Sequence, residues 1–456
     1  MDLDVPRGFE LGVATSSWQI EGDVAGRGRA NWDDFAERPG AIIDGSTGEP
    51  ACDHVHRLGE DLDLLGWLGV DAYRFSISWP RVIPDGTGPL SPSGLDFYDR
   101  LVDGLLERGI TPAATLFHWD LPSTLEDAGG WPSRDTAYRF ADYAHAMGEH
   151  FAGRVDRWAT LNEPWCSAFL GYCAGYFAPG RTEPGESLAA AYHLILGHGL
   201  AIGRLRDAGA RNLGIVLNLI PVISESPEMD AAARHVDGVQ NRLLLGLLAG
   251  KGISDEIRES CDGLTDWGFV RDEDRAVMAT PIDWLGENYY TVMRVAPLAT
   301  TDVHAIGQDV SMFPGCPPLT FVPRPPLTDM GWEVLPEGVE LALRMASDAL
   351  PGVPLWICEN GAAVHESTDA SGIHDPIRSE YLEDHIRALM RARDKGFDVR
   401  GYYAWSLLDN LEWASGWTKR FGLVRVDPAT GTRTPKDSAH WYRELLSSRA
   451  ARQPGS

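Results

Sequence analysis

Eight short runs of apolar and β-preferring residues recur along the 456-residue chain: FELGVATS, VDAYRFSIS, ITPAATLF, RWATLN, NLGIVLNLI, IDWLGENYY, VPLWICEN and GYYAWSLL. Helical patterns separate them. The clearest sets Phe140, Tyr143, Ala144, Met147 and Phe151 on one face, with Ser133 as its expected cap. A second carries Leu382, Ile386, Leu389 and Met390 and stops near Gly396. Strands alternating with helices, with no Ser/Gly-rich linker between them, predict an α/β fold: one (β/α)8 TIM barrel with long loop insertions on its C-terminal face. A doubly wound sheet is the alternative. The expected domain spans residues 1–446, followed by a disordered tail at 447–456, SSRAARQPGS. The longest irregular stretch, 297–331, holds PGCPPL and PRPP and follows the sixth run. In a barrel it would overhang the C-terminal face and shape an outer pocket.

Charge narrows the partners. With 40 basic and 66 acidic residues the chain carries −26, which opposes phosphate backbones and anionic membranes, so neither nucleic acid nor membrane is an expected partner. The start, MDLDVPRGFELGV, lacks a basic flank ahead of an apolar stretch, and LLLGLLAG is far shorter than the roughly 20 residues of a membrane span. A cytoplasmic location is the expectation. Six scattered cysteines form no C-x-x-C pair. CDHVH offers Cys52, His54 and His56, but no second cluster completes a zinc site. Neither H-E-x-x-H, G-x-S-x-G, G-x-G-x-x-G nor G-x-x-x-x-G-K-[ST] occurs, so no metal or cofactor is expected. A homo-oligomer is left open.

Two of the runs end in a carboxylate. RWATLN leads into Glu163, whose direction Pro164 limits, and LWICENG carries Glu359 ahead of Gly361, which permits a sharp exit. These would be the fourth and seventh strands of a barrel, whose ends face each other across its mouth. Two carboxylates flanking one scissile bond is the arrangement of glycoside hydrolysis. Gln19, His118, Asn162, Asn288, Tyr290 and Glu412 add polar groups at strand ends that can bond sugar hydroxyls. Trp332, Trp405 and Trp413 offer apolar faces to the C–H side of a sugar ring.

The set WQIEG, YRFSISWPR, TLFHWDLP, GGW, TLNEPW, NYY, ENG and WSLLDNLEW…RFGL, in this order over nearly the whole length, resembles glycoside hydrolase family 1, the β-glucosidase and β-galactosidase family. The resemblance implies a retaining β-glycosidase, foremost a β-glucosidase, acting on terminal β-D-glucosyl residues of small-molecule glycosides through a covalent glycosyl-enzyme. It makes Glu163 the acid/base and Glu359 the nucleophile. Gln19, His118, Asn162, Glu412 and Trp413 match positions that hold the non-reducing sugar, with Trp405 as its stacking floor. Asn288 and Tyr290 match groups beside the reaction centre, and Arg74 matches the cation that keeps the nucleophile ionised.

The implied chemistry needs two glutamates in different states. Arg74 and the Tyr290 hydroxyl would favour ionised Glu359, while a less polar setting near Trp119 and Trp165, with repulsion from the other carboxylate, would keep Glu163 protonated. Family members that cleave 6-phospho-sugars typically carry Ser where this chain has Glu412 and Tyr where it has Phe421; only Lys419 matches them. A plain glucoside is therefore the expected substrate. Three positions depart from the family pattern: Cys358 where Thr commonly precedes the nucleophile, Phe177 where His is common, and Glu287 before NYY. A sugar-binding barrel without catalysis would usually lack one carboxylate, and this chain keeps both. Transfer to an alcohol or sugar in place of water is a third possibility on the same intermediate.

Overall fold

The computed structural model describes residues 3–298 and 310–451. Each of the eight runs forms a strand: β1 Glu10–Ala14, β2 Ala72–Ser76, β3 Thr111–Phe117, β4 Arg157–Asn162, β5 Leu213–Leu217, β6 Trp284–Asn288, β7 Leu355–Asn360 and β8 Val399–Trp405. All pair in parallel with their chain neighbours, and β1 pairs with both β2 and β8, closing the barrel. Closure excludes the doubly wound sheet. Successive side chains point to opposite faces of a strand, so each run divides its residues between two cores. Ala14, Ala72, Ala159, Val216, Trp284, Trp356, Cys358 and Tyr403 fill the barrel, while Leu11, Phe75, Leu161, Ile215, Leu285 and Ile357 pack with the helices.

The two expected helices form as Arg134–Phe151 and Pro376–Asp394. Phe140, Tyr143, Ala144, Met147 and Phe151 are all buried, and Gly396 beyond the second helix takes a φ of 101°. Ser133 stands at the helix N-terminus, but its side chain caps nothing. The expected tail needs correction. The helix Asp437–Ala451 runs through its first five residues, and Arg449 is buried there, bonded to Asp71 and to the Phe9 carbonyl. An internal salt bridge and the Tyr442 hydroxyl bond to the Gly12 carbonyl dock this helix onto the barrel's N-terminal side. Residues 452–456 lie outside the described residues.

Helix Pro184–Asp207 is long and apolar enough to cross a membrane by length and composition, which the short-run reading overlooked. Its most apolar window is 83% buried, packed on the Arg134–Phe151 helix and on β4 and β5. Above the C-terminal mouth, Val222–Ser224, Met293–Ala296 and Thr320–Phe321 form a small sheet. Its last strand belongs to the proline-rich 297–331 stretch, of which 299–309 lie outside the described residues.

Candidate active site

Both glutamates stand where a catalytic strand breaks its register. The ladder between β7 and β6 shifts between Ile357 and Glu359, so that Glu359 stands opposite Asn288, and the ladder between β4 and β5 shifts between Ala159 and Asn162. Such irregularities re-aim a side chain at the rim of a barrel. Glu163 then turns with a φ of 44°, its N–H donating to the Val216 carbonyl at 2.9 Å. Trp119 and Trp413 also have positive φ, at 79° and 47°. Each such non-glycine conformation costs of order 1–3 kcal/mol, which the surrounding packing must offset. Gly361 is needed for a reason other than the expected one: a Cβ there would lie 1.8 Å from the Trp405 carbonyl oxygen. Close approach of β7 to β8, rather than an unusual dihedral, excludes larger residues.

Around Glu359 the polar groups converge. Arg74 donates to its Oε1 at 2.6 Å and the Tyr290 hydroxyl to its Oε2 at 2.8 Å. Arg74 also donates to Thr115 and to Asn162 Oδ1, fixing the guanidinium between strands β2, β3 and β4. Asn288 Nδ2 donates to Glu163 Oε1 at 2.6 Å and to Asn162 Oδ1 at 3.0 Å, joining the two carboxyl sites. Glu163 Oε2 accepts from the Cys166 thiol at 3.0 Å.

These surroundings separate the two acids. Burial raises both, but at Glu359 the Arg74 charge and the Arg74 and Tyr290 hydrogen bonds oppose the rise. At Glu163 the charge of Glu359 adds to burial, and its carboxyl is pushed up to about 7. A proton on the pair is therefore favoured on Glu163 over Glu359. Burial, followed by the charges of Glu359 and Glu163, also pushes Glu412 up to about 8; its Oε2 is buried without a partner. His118 is held neutral, its pKa driven well below the ordinary value by burial and by Arg74, and its Nε2 faces Asn162 Nδ2 at 3.0 Å.

Of the fourteen site residues expected from sequence, eleven line one cavity: Glu163, Glu359, His118, Trp119, Asn288, Tyr290, Trp332, Trp405, Glu412, Trp413 and Phe421. The other three sit directly behind it. Arg74 and Asn162 are committed as described, and Gln19 accepts from Ser16 while donating to Asn410 Oδ1 and the Leu411 carbonyl. Gln19 thereby braces the loop that carries Glu412. Trp405 lies nearly parallel to the His118 ring at 6.0 Å, and Trp413 is wedged among Trp18, Trp32 and Trp119. Phe177 joins that aromatic wall, 5.3 Å from Trp32 and 5.4 Å from Trp119. The Cys358 thiol faces into the barrel core, pushed up to about 12 chiefly by burial, so it is no second nucleophile at neutral pH. Cys52 and His54 are taken by the Asp409 carbonyl and Asp61.

Sequence reasoning missed Cys166 and Asn218. Cys166 lies three residues beyond Glu163, and Asn218 Nδ2 reaches its sulfur at 3.4 Å. Their signal was slight: a thiol one turn past the acid, and an amide just beyond the end of β5. The expected outer pocket is there among the described residues, with Phe321, Pro323 and Met330 contributed by the proline-rich stretch and Met293 by the small sheet.

Comparison with known proteins matches residues 1–451 to the family described as Glycosyl hydrolase family 1. The chain is 45% identical to a protein named thermostable beta-glucosidase B from Thermobispora bispora, over 98% of this chain and 91% of that one. It is 42% identical to a bifunctional beta-D-glucosidase/beta-D-fucosidase from Bifidobacterium breve, over 99% and 100%. The crystal structure of a psychrophilic beta-glucosidase from Micrococcus antarcticus superposes with a TM-score of 0.93 at 44% identity, covering 98% of each chain.

Proposed function

The chain belongs to glycosyl hydrolase family 1, whose enzymes are retaining glycosidases, and on that premise we propose a β-glucosidase with Glu359 as nucleophile and Glu163 as acid/base. The observation that carries the assignment is the asymmetry of the pair: Glu359 is bonded by a cation and a hydroxyl, while Glu163 has only Asn288 and a thiol. In the first step Glu359 attacks the anomeric carbon as the glycosidic bond breaks, and Glu163 gives its proton to the departing oxygen. In the second Glu163 takes a proton from water, whose oxygen displaces Glu359 from the sugar. The relatives named beta-glucosidases support glucose as the sugar. Turnover of 4-nitrophenyl β-glucoside followed by NMR tests this. The first-formed sugar is expected to be the β anomer, and the α anomer would overturn the mechanism.

The same assignment sets a pH profile. Because Glu163 must start protonated, kcat/KM is expected to fall as pH rises through about 7. On the acid side it falls as Glu359 gains a proton, above the ordinary glutamate range because burial outweighs its partners. A profile flat from pH 6 to pH 9 would refute the acid role.

Discrimination against phosphate follows from what the pocket lacks. Among the described residues lining it, the cation is Arg294, and Glu333 and Glu225 already engage its guanidinium. Lys419 donates to the Asp329 carbonyl, and Phe421 has no hydroxyl. A dianion beside Glu412 would have to be desolvated without a partner. Plain 4-nitrophenyl β-glucoside is expected to exceed its 6-phosphate in kcat/KM by at least about tenfold, the equivalent of about 1.4 kcal/mol. Equal values would show that the sugar pocket is misread. A cytoplasmic location is also proposed, supported by six free thiols, five of them buried, which a reducing compartment preserves.

A further inference from the structure

Glu287 is an acid the mechanism does not use. On β6, Gly286 and Asn288 face the barrel interior, and Glu287 between them faces outward, toward the helical layer, with no exposed surface. An apolar residue is the ordinary occupant there. Glu287 Oε1 instead accepts from the Leu219 N–H at 2.9 Å, and Oε2 has no partner. Gln240, also buried, donates Nε2 to the Asn218 carbonyl at 3.0 Å. The Asn218 carbonyl and the Leu219 N–H belong to one peptide unit, so these two side chains grip that peptide from opposite sides. Asn241 takes the next residue, accepting from the Ile220 N–H at 3.0 Å and donating to the Ile220 carbonyl at 2.8 Å.

The segment so held bears on the reaction centre. Asn218 and Ile220 line the cavity, and Asn218 Nδ2 meets the Cys166 sulfur, whose hydrogen bonds Glu163 Oε2. Two residues earlier, the Val216 carbonyl accepts the Glu163 N–H. The end of β5 thus supports Glu163 at both its backbone and its carboxyl.

We infer that Glu287 is a positioning residue: by fixing the Asn218–Leu219 peptide it holds Asn218 and Cys166 against the acid carboxyl and so aims the proton of Glu163 at the leaving oxygen. The inference rests on Glu163 being the acid. Burial holds the Glu287 pKa well above the usual carboxylate range, which favours its neutral form. A fixed negative charge is not required, only an acceptor for one N–H and a polar group of the right length.

The test compares an alkyl β-glucoside, which needs the proton, with 2,4-dinitrophenyl β-glucoside, which does not. Glu287→Leu keeps the volume but orphans the Leu219 N–H; kcat/KM is expected to fall at least about tenfold on the alkyl substrate and less than about threefold on the dinitrophenyl one. Glu287→Gln keeps an acceptor without charge and is expected to stay within about threefold of the parent on both. Should Glu287→Leu fail to fold, Cys166→Ala, further along the same chain of contacts, is expected to show the same split. Equal losses on the two substrates, no loss on either, or a Glu287→Gln variant as impaired as Glu287→Leu would overturn the inference. Glu163→Ala in the same assay separates its failure from that of the acid assignment, because that variant must show the split whether or not Glu287 matters.

Discussion

Replacing Glu359 with glycine is expected to lower kcat/KM on 4-nitrophenyl β-glucoside by about 10⁴-fold or more, because it removes the group that forms the covalent intermediate. Neighbouring Cys358 cannot substitute for it, since its thiol lies in the barrel core and stays protonated. The variant should be rescued by azide. Removing the carboxylate leaves a slot beside Arg74 and Tyr290, where a buried guanidinium has lost its counter-ion. A small anion can enter and attack the anomeric carbon directly while Glu163 still protonates the leaving group. One displacement in place of two inverts the centre, so an activated β-glucoside should give the α-glucosyl azide. Loss of the Arg74 pair should also destabilise the fold by about 3 kcal/mol, and azide should restore part of it. A β-configured azide, or rescue absent at high azide with a folded variant, would reassign the nucleophile.

The barrel was legible because each strand carries its own signal: a short β-rich run with inward and outward residues alternating, separated by helical stripes. The two glutamates were legible for a similar reason, each closing a run and followed by a residue that restricts the backbone. What local sequence could not show was support arriving from elsewhere in the chain. Cys166 matters because Asn218, 52 residues away, meets its sulfur, and Gln19 serves the site by holding a loop 391 residues on. Charge state was equally hidden. Glu412 reads as an ordinary carboxylate in isolation, yet burial beside two other carboxyls pushes it up to about 8. The tail was misread because Arg449 looks solvated until Asp71 and the Phe9 carbonyl are brought beside it by barrel closure.

Replacing Glu163 with alanine is expected to lower kcat/KM about 10²- to 10⁴-fold on alkyl and phenyl β-glucosides and far less on 2,4-dinitrophenyl β-glucoside. The difference follows from where the proton goes. A dinitrophenolate departs unaided, so Glu359 can still form the glycosyl-enzyme, whereas an alkoxide cannot leave without the proton Glu163 carries. Hydrolysis of the intermediate also needs Glu163, as the base for water, so with the dinitrophenyl substrate the intermediate should accumulate and turnover should stall after a burst of one equivalent of phenol. Azide needs no base. It should accelerate this second step and, after two displacements, give the β-glucosyl azide, the opposite anomer from that made by the Glu359 variant. The alkaline fall of kcat/KM near pH 7 should vanish for the dinitrophenyl substrate, since the group that titrates there is gone. Asn288 and Cys166 would each lose their bond to the carboxyl, and neither can carry a proton to the leaving oxygen at pH 7: an amide is not an acid, and burial pushes the Cys166 thiol well above its ordinary value. If the alanine variant lost activity equally on all leaving groups and formed no azide adduct, Glu163 would be a structural acid and the proton donor would have to be sought at Glu412, a carboxyl facing the cavity that burial pushes up to about 8.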